Sequence, residues 1–333
     1  MSVLQDCINK NSKANCIWLM RQAGRYLPEF RKIRSENSDF IKLCLNEDLS
    51  SEITVQPLKR FDIDAAIIFS DILLVPYALG QTVEFRKDFG PILGKIDFVK
   101  ISKTNQNQFL EKLRPVYNAL KKTKQKKELK NKDLIGFIGA PWTILIYMLN
   151  QKSPKSKDIN KSLNDKKLIK NLLKTVIKFL KIHIEHQINS GATIIQIFDS
   201  WAGLLDERNY EEYIYKPTKD LVDFIKSKNI PVICFPKGIN NYDKYVTMVK
   251  PDVISIDYDV DPKKVSETIN ITVQGGLNPN FLIGSKEELK KNVKKYLDIF
   301  KDKPYIFNLG HGVLPNTDPG MVDYLVKLVK NHS

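Results

Sequence analysis

Two periodicities take turns along this chain. Short apolar runs come at AAIIFS (65–70), LIGFIG (134–139), TIIQIF (193–198), VICF (232–235), VISID (253–257), TVQGG (272–276) and YIFNLG (305–310). Between most of them lies a 3.6-residue apolar rhythm, clearest at Leu172, Leu173, Val176, Ile177, Leu180, Ile184 and Ile188. Unbroken apolar runs are expected of strands buried on both faces, and the 3.6 rhythm of helices that cover them. Helices are predicted at 32–61, 106–130, 144–150, 168–189, 208–227, 239–249, 285–301 and 320–330. Residues 73–93 read as a turn-rich excursion with a short strand, 151–167 as a polar excursion, and 1–16 as polar and loose. Seven strands followed by loops and usually helices predict one α/β domain over 1–333, a distorted eight-stranded (β/α)8 TIM-type barrel. The eighth strand is expected at Ile17–Met20 or Thr82–Phe85. A doubly wound sheet is the alternative, but no G-x-G-x-x-G follows the first strand.

Composition narrows the class. The 333 residues are 42% apolar, enough for one large core. No window reaches the length of a membrane span, and the first residues have neither a secretory nor a transit pattern, so a soluble cytoplasmic protein is expected. The net charge of +15 invites a nucleic-acid reading. Yet arginine occurs only at 21, 25, 31, 34, 60, 86, 114 and 208, and the densest lysine run, 121–132, has no interleaved aromatics. That run reads as a solvated face, and nucleic acid is not expected as a partner. Cysteines 7, 16, 44 and 234 form no C-x-x-C and read as free thiols.

Barrel chemistry gathers at the C-terminal ends of strands. Those ends offer Asp71 after AAIIFS, Tyr147 past GAPW, Asp199, Ser200 and Trp201 after TIIQIF, Lys237 and Gly238 after VICFP, and His311 after YIFNLG. Each alone is explicable as a strand-end cap or a satisfied polar group; their shared location is the signal. WLMRQAGRYLPEFR (18–31) sets Arg21 and Arg25 on either side of Gly24, with Pro28 interrupting any helix. Planar guanidinium groups on a shaped loop suit carboxylates or phosphates. His183, at the edge of the apolar stripe, and His186, on the polar face, lie on one predicted helix without a third ligand and read as structural or surface residues. No P-loop, G-x-S-x-G or H-E-x-x-H occurs.

WLMRQAGRYLPE, FDIDAAIIFSDILLVPYALG, LIGFIGAPWTILIYM, TIIQIFDSWAGLL, VICFPKG, TVQGGLNP and NLGHGVLPNTDP, in that order, resemble consecutive blocks of the uroporphyrinogen decarboxylase family. The resemblance implies a distorted barrel, usually a homodimer, without metal or cofactor. Such an enzyme removes carbon dioxide from the four acetate side chains of uroporphyrinogen III to give coproporphyrinogen III. By matching motif, Asp71 is the acidic residue under the pyrrole nitrogens. Arg21 and Arg25, with the backbone of Gln22, Ala23 and Gly24, line the carboxylate end of the cleft. Tyr147, Ser200 and His311 complete the polar contacts. The chain departs from the family's QGNLDP at Gln274–Pro279, which here reads QGGLNP, and its 86–91 turn is RKDFGP rather than glycine-rich.

The chemistry fits independently. Loss of carbon dioxide from a pyrrole-acetate needs an electron sink, which a protonated ring carbon supplies. A carboxylate facing the pyrrole N–H groups stabilises that cation. Tyr147, His311, a substrate carboxyl or Arg21 are open candidates for the proton donor. The main rival is a corrinoid-linked methyltransferase on the same barrel, but its zinc pattern needs His-x-Cys and a later Cys. Here Val232 stands two before Cys234, and no cysteine follows. A non-enzymatic tetrapyrrole- or nucleic-acid-binding protein is the weaker rival.

Overall fold

The computed structural model describes residues 2–9, 15–86, 89–154 and 165–332. Ten strands occur among them: β1 (Cys16–Ile17), β2 (Ala65–Ile67), β3 (Val83–Arg86), β4 (Gly90–Leu93), β5 (Asp133–Gly139), β6 (Ile194–Asp199), β7 (Val232–Pro236), β8 (Val253–Ile256), β9 (Thr272–Gly275) and β10 (Tyr305–Phe307). Eight form one parallel sheet in the order β1-β10-β9-β8-β7-β6-β5-β2. The remaining two, β3 and β4, make a separate antiparallel hairpin. The eighth barrel strand is therefore Cys16–Ile17, one residue ahead of the first expected position, and Thr82–Phe85 belongs to the hairpin.

The sheet curls until β1 meets β2. Among the described residues no regular ladder closes that seam; one backbone bond and several side chains take it over. The Asp64 N–H donates to Ile17 O (2.9 Å), and the Ile17 N–H donates to Asp64 Oδ2 (2.7 Å). Lys330, from the helix Pro319–Lys330, donates to both oxygens of Asp64 (2.6 and 2.8 Å). Gln22 adds a second clasp: its Oε1 accepts the Leu19 N–H (3.0 Å) and its Nε2 donates to Ala65 O (2.9 Å).

Strand alternation fills the interior. Ile135, Ile194, Ile233, Val253 and Ile306 pack inside the barrel around Trp18 and Met20. Above them lies a hydrogen-bonded polar layer. Trp18 Nε1 donates to Gln274 Oε1 (2.9 Å), and Gln274 Nε2 donates to Ser255 Oγ (3.2 Å) and Gln196 Oε1 (3.3 Å). Buried amides in such a layer hold one register because each needs its partners.

The start of the chain differs from the expectation of a loose segment. Val3–Ile8 is a helix, N-capped by Ser2, and Leu4, Cys7 and Ile8 join the interior cluster. Three apolar residues on one face of a short helix stopper the N-terminal end of the barrel, although the segment's overall composition is polar. Residues 10–14 and most of the 151–167 excursion lie outside the described residues. The long helix is Lys166–Asn189, in which His183 is buried and hydrogen-bonded through Nδ1 to Tyr117 Oη (3.0 Å). Among the described residues no helix is long and apolar enough to cross a membrane.

Candidate active site at the barrel mouth

Pro28 does not break a helix here; it opens one, Pro28–Glu36, at the position where a missing N–H costs nothing. Residues 18–27 thus form a loop between β1 and that helix. Arg21 has φ +60, a left-handed conformation unusual for a side-chain-bearing residue and concentrated at functional positions. It carries the guanidinium over the mouth, where the stem lies along Gly312. A Cβ at Gly312 would stand 2.3 Å from Arg21 Cδ, so only glycine leaves room. The loop after β10 is tied to the arginine loop by Val313 N–H to Met20 O (2.9 Å) and Met20 N–H to Asn308 Oδ1 (3.0 Å). These bonds bring the Arg21 and His311 motifs together across nearly the whole chain.

Asp71 follows β2. Ser50 and Thr54, buried hydroxyls on the helix Glu47–Arg60, fix the approach by bonding Phe69 O (2.6 Å) and the Phe69 N–H (2.9 Å). Asp71 Oδ1 accepts the Leu73 N–H (2.8 Å), which starts the helix Leu74–Ala78. Its carboxyl is pushed up to about 6 by burial, with the Leu73 N–H and the Arg21 charge pulling the other way. Arg21 in turn is drawn below its ordinary value, chiefly by the protein packed around it, while Asp71 and Tyr147 oppose that and Arg25 adds to it. Tyr147, on the helix Pro141–Asn150, is raised by burial and feels both Asp71 and Arg21. His311 is lowered to about 4 by burial and by the Arg21 and Lys237 charges, with the Gly312 backbone opposing, so its imidazole is neutral at neutral pH. Asp71, Arg21, Tyr147, His311 and Lys237 therefore form one electrostatically connected group.

The other expected residues take different places. Both arginines of the loop are open to solvent, Arg21 as well as Arg25, and Arg25 is close enough to Arg21 to lower it. Ala23 and Gly24 are partly open. Gln22, expected to line the cleft, is instead only 1% exposed: its side chain lies in the seam, its N–H donates to Leu19 O (3.0 Å) and its carbonyl accepts the Tyr26 hydroxyl (2.8 Å), so both of its backbone groups are already engaged within the protein. Ser200 is partly buried at the end of β6. Sequence reading passed over Phe137, Phe198 and Phe235. These inward positions at the mouth ends of their strands make edge-on contacts at 5.7 Å (Phe137–Phe198) and 6.4 Å (Phe198–Phe235). Phe137 and Phe198 remain partly exposed, giving the cleft an apolar aromatic floor. The period-two alternation within β5, β6 and β7 was the signal that would have found them.

The departures at 274–279 are explained locally. Gly276 sits at φ +106, where a Cβ would meet Tyr296 Cε1 at 2.7 Å. Asn278 caps the turn Pro279–Leu282 by accepting the Asn280 N–H (2.9 Å), a task asparagine and aspartate share. Residues 87 and 88 of the other departing turn lie outside the described residues. Among the described residues no group of three or more His, Cys, Asp or Glu could hold a metal ion, and Cys234 is buried.

Fold and site together define an α/β-barrel protein with a cationic, carboxylate-bearing mouth over an aromatic floor. The family model described as "Uroporphyrinogen decarboxylase (URO-D)" matches residues 3–332. Relatives named uroporphyrinogen decarboxylase are 42% identical in Rickettsia bellii, covering 100% of this chain and 99% of that one, and 42% identical in Wolbachia pipientis wMel, covering 95% and 94%. The chain belongs to the uroporphyrinogen decarboxylase family. Among solved structures it is similar to a methyltransferase from Methanosarcina mazei, with a TM-score of 0.75 over 97% of this chain and 96% of that one. At 15% identity that likeness shows the barrel alone.

Proposed function

We propose that this chain is a carboxy-lyase that converts uroporphyrinogen III to coproporphyrinogen III and carbon dioxide in haem biosynthesis, without metal or organic cofactor. Family membership over the full chain supports the reaction. The observation that carries the site assignment is Asp71, a half-buried carboxylate at a strand end that feels the Arg21 charge. The pyrrole ring system lies on the aromatic floor with its N–H groups toward Asp71. Protonation of a ring carbon opens the electron sink, and the developing cation is stabilised by the Asp71 carboxylate at short range in a water-poor site. Arg21 and Arg25 hold carboxylates so that the reacting acetate stays in register. His311 and Ser200 supply neutral polar contacts. Tyr147, whose phenol stays protonated, faces the same group and is one of the candidate donors, along with Arg21 and a substrate carboxyl. The enzyme works as a homodimer in the cytoplasm, a reading that rests on the family pattern and on four unpaired cysteines.

The test is direct. Purified protein is incubated anaerobically with chemically reduced uroporphyrin, and products are oxidised and separated by carboxylate number. A ladder ending in coproporphyrin is expected; unchanged uroporphyrin overturns the assignment. Light scattering of the same preparation checks the dimer.

A further inference from the structure

The mouth holds a second carboxylate that the proposed chemistry does not use. Asp199 ends β6 and is 1% exposed. Its Oδ1 accepts the Thr143 hydroxyl at 2.6 Å, while its Oδ2 is buried without a hydrogen-bond partner. Thr143 is a junction: its Oγ1 also accepts the Trp201 N–H (3.3 Å), and its neighbour Trp142 donates through Nε1 to Trp201 O (3.0 Å). One helical turn beyond Thr143 on the same face stands Tyr147, whose ring meets that of Trp201 edge-on at 5.9 Å. The backbone of Asp199 reaches the next loop, where its carbonyl accepts the Lys237 N–H (3.0 Å) and Lys237 O accepts the Gly203 N–H (3.0 Å).

We propose that Asp199 is a positioning residue for the decarboxylation, acting through Thr143 to lock Tyr147, Ser200 and Trp201 into one wall of the mouth. A buried carboxyl with an oxygen left over is costly, and a strand end that needed only filling is better served by an apolar side chain. What the carboxyl adds is a short directional bond that fixes the Thr143 hydroxyl, leaving its lone pairs for Trp201. Thr143 and the titratable side chains of Tyr210, Tyr245 and Cys234 face Asp199, and none of them is a cation. Burial accordingly raises the carboxyl to about 7, and the Thr143 bond only partly offsets that.

The inference rests on the decarboxylase reading. Its test uses Asp199→Ala, Thr143→Val and the conservative Thr143→Ser, with each rate expressed per folded molecule. Asp199→Ala and Thr143→Val are expected to lower kcat by about tenfold or more, because misplacement of contacting groups is costly. Thr143→Ser keeps the hydroxyl and is expected to restore kcat to within about threefold. The double variant Asp199→Ala/Thr143→Val is expected to be no slower than the worse single one, since both changes cut one link. Acrylamide quenching of tryptophan fluorescence supplies the second readout, because Trp18 and Trp142 are buried and Trp201 is partly open. Quenching should rise in both disabling variants. Unchanged kcat with only a lowered melting temperature, multiplicative losses in the double variant, or unchanged quenching would each overturn the proposal. Quenching is read without substrate, so it judges the strut separately. A wild-type chain that released no carbon dioxide would sink the decarboxylase reading instead.

Discussion

The two ends of the barrel treat their carboxylates in opposite ways. At the N-terminal end Asp133 accepts from Ser2 Oγ, Gln5 Nε2 (2.8 Å) and Thr193 Oγ1 (2.8 Å), and Asp64 is held by Lys330 and a backbone N–H. At the mouth Asp71 has the Leu73 N–H and the field of Arg21, Asp199 has one threonine, and both are pushed up by burial. Partners are thus plentiful where the molecule is fastened and sparse at the mouth. Under-solvated charge at the mouth weakens the folded state but leaves carboxylate and guanidinium free to engage a ligand.

The largest effect expected from breaking this contrast is Asp71→Asn. Turnover should fall by at least about a hundredfold, mainly in kcat, because the charge facing the cationic intermediate is gone. The amide still accepts the Leu73 N–H, so the melting temperature should stay level or rise. Calorimetry and single-turnover rates on one preparation check both; an unstable variant with near-normal turnover would make Asp71 a mere cap.

Arg21→Ala comes next, with turnover reduced by roughly ten- to a hundredfold through loss of the clamp. Arg21→Lys should rescue it poorly, since an ammonium lacks the planar fork. Lys126→Ala, on the lysine-rich surface, should match wild type in the same assay. Equal mild losses from Arg21→Ala and Lys126→Ala would assign the effect to the overall positive field.

At the fastened end Asp64→Ala should do the reverse. Removing it strands the Lys330 ammonium and the Ile17 N–H, and about 3 kcal/mol of stability should disappear in denaturant unfolding. Turnover per folded molecule should hold.

Acid sharpens the comparison further. Asp71 titrates at about 6 in the folded protein, so kcat/KM should fall below pH 6 as the carboxylate is protonated. Stability moves the other way for this group. Its folded pKa lies above the unfolded value, so its contribution is full below the unfolded pKa and lost as pH rises through about 6. A rate profile flat to pH 5 would remove Asp71 from the chemistry. The smallest effect is Ser2→Ala, which deletes the cap of the helix Val3–Ile8 and should cost about 1 kcal/mol by thermal melt.

The barrel was legible because its strands are buried on both faces and announce themselves as apolar runs. The mouth was legible because Asp71, Ser200 and His311 stand just past those runs. Cys16–Ile17 was harder, since two residues carry no period and their pairing is set by Asp64, Lys330 and β10. Val3–Ile8 hid its three buried apolar residues in a polar segment too short to show a helical rhythm. The Pro262–Thr268 helix was missed for the same reason. Gln22 lies inside a motif read for its arginines, and nothing in the letters separates a side chain that closes the barrel from one that lines it. Likewise Thr143 and Asp199 are 56 residues apart, and only the β5–β6 pairing brings them within bonding distance.

The ladder between β1 and β10 bears on how the chain is made. Residues 16 and 17 leave the ribosome well before their ladder partners Ile306 and Phe307, and Lys330 comes later still. Until the last stretch emerges, the nascent sheet is an open ribbon with raw edges at β2 and at its newest strand, the state most exposed to wrong pairing. Ring closure is then a single late event of very long loop length, and slow on that account. Arrested chains ending before residue 305 should be cut rapidly by protease near their start, while chains extended past 332 should resist.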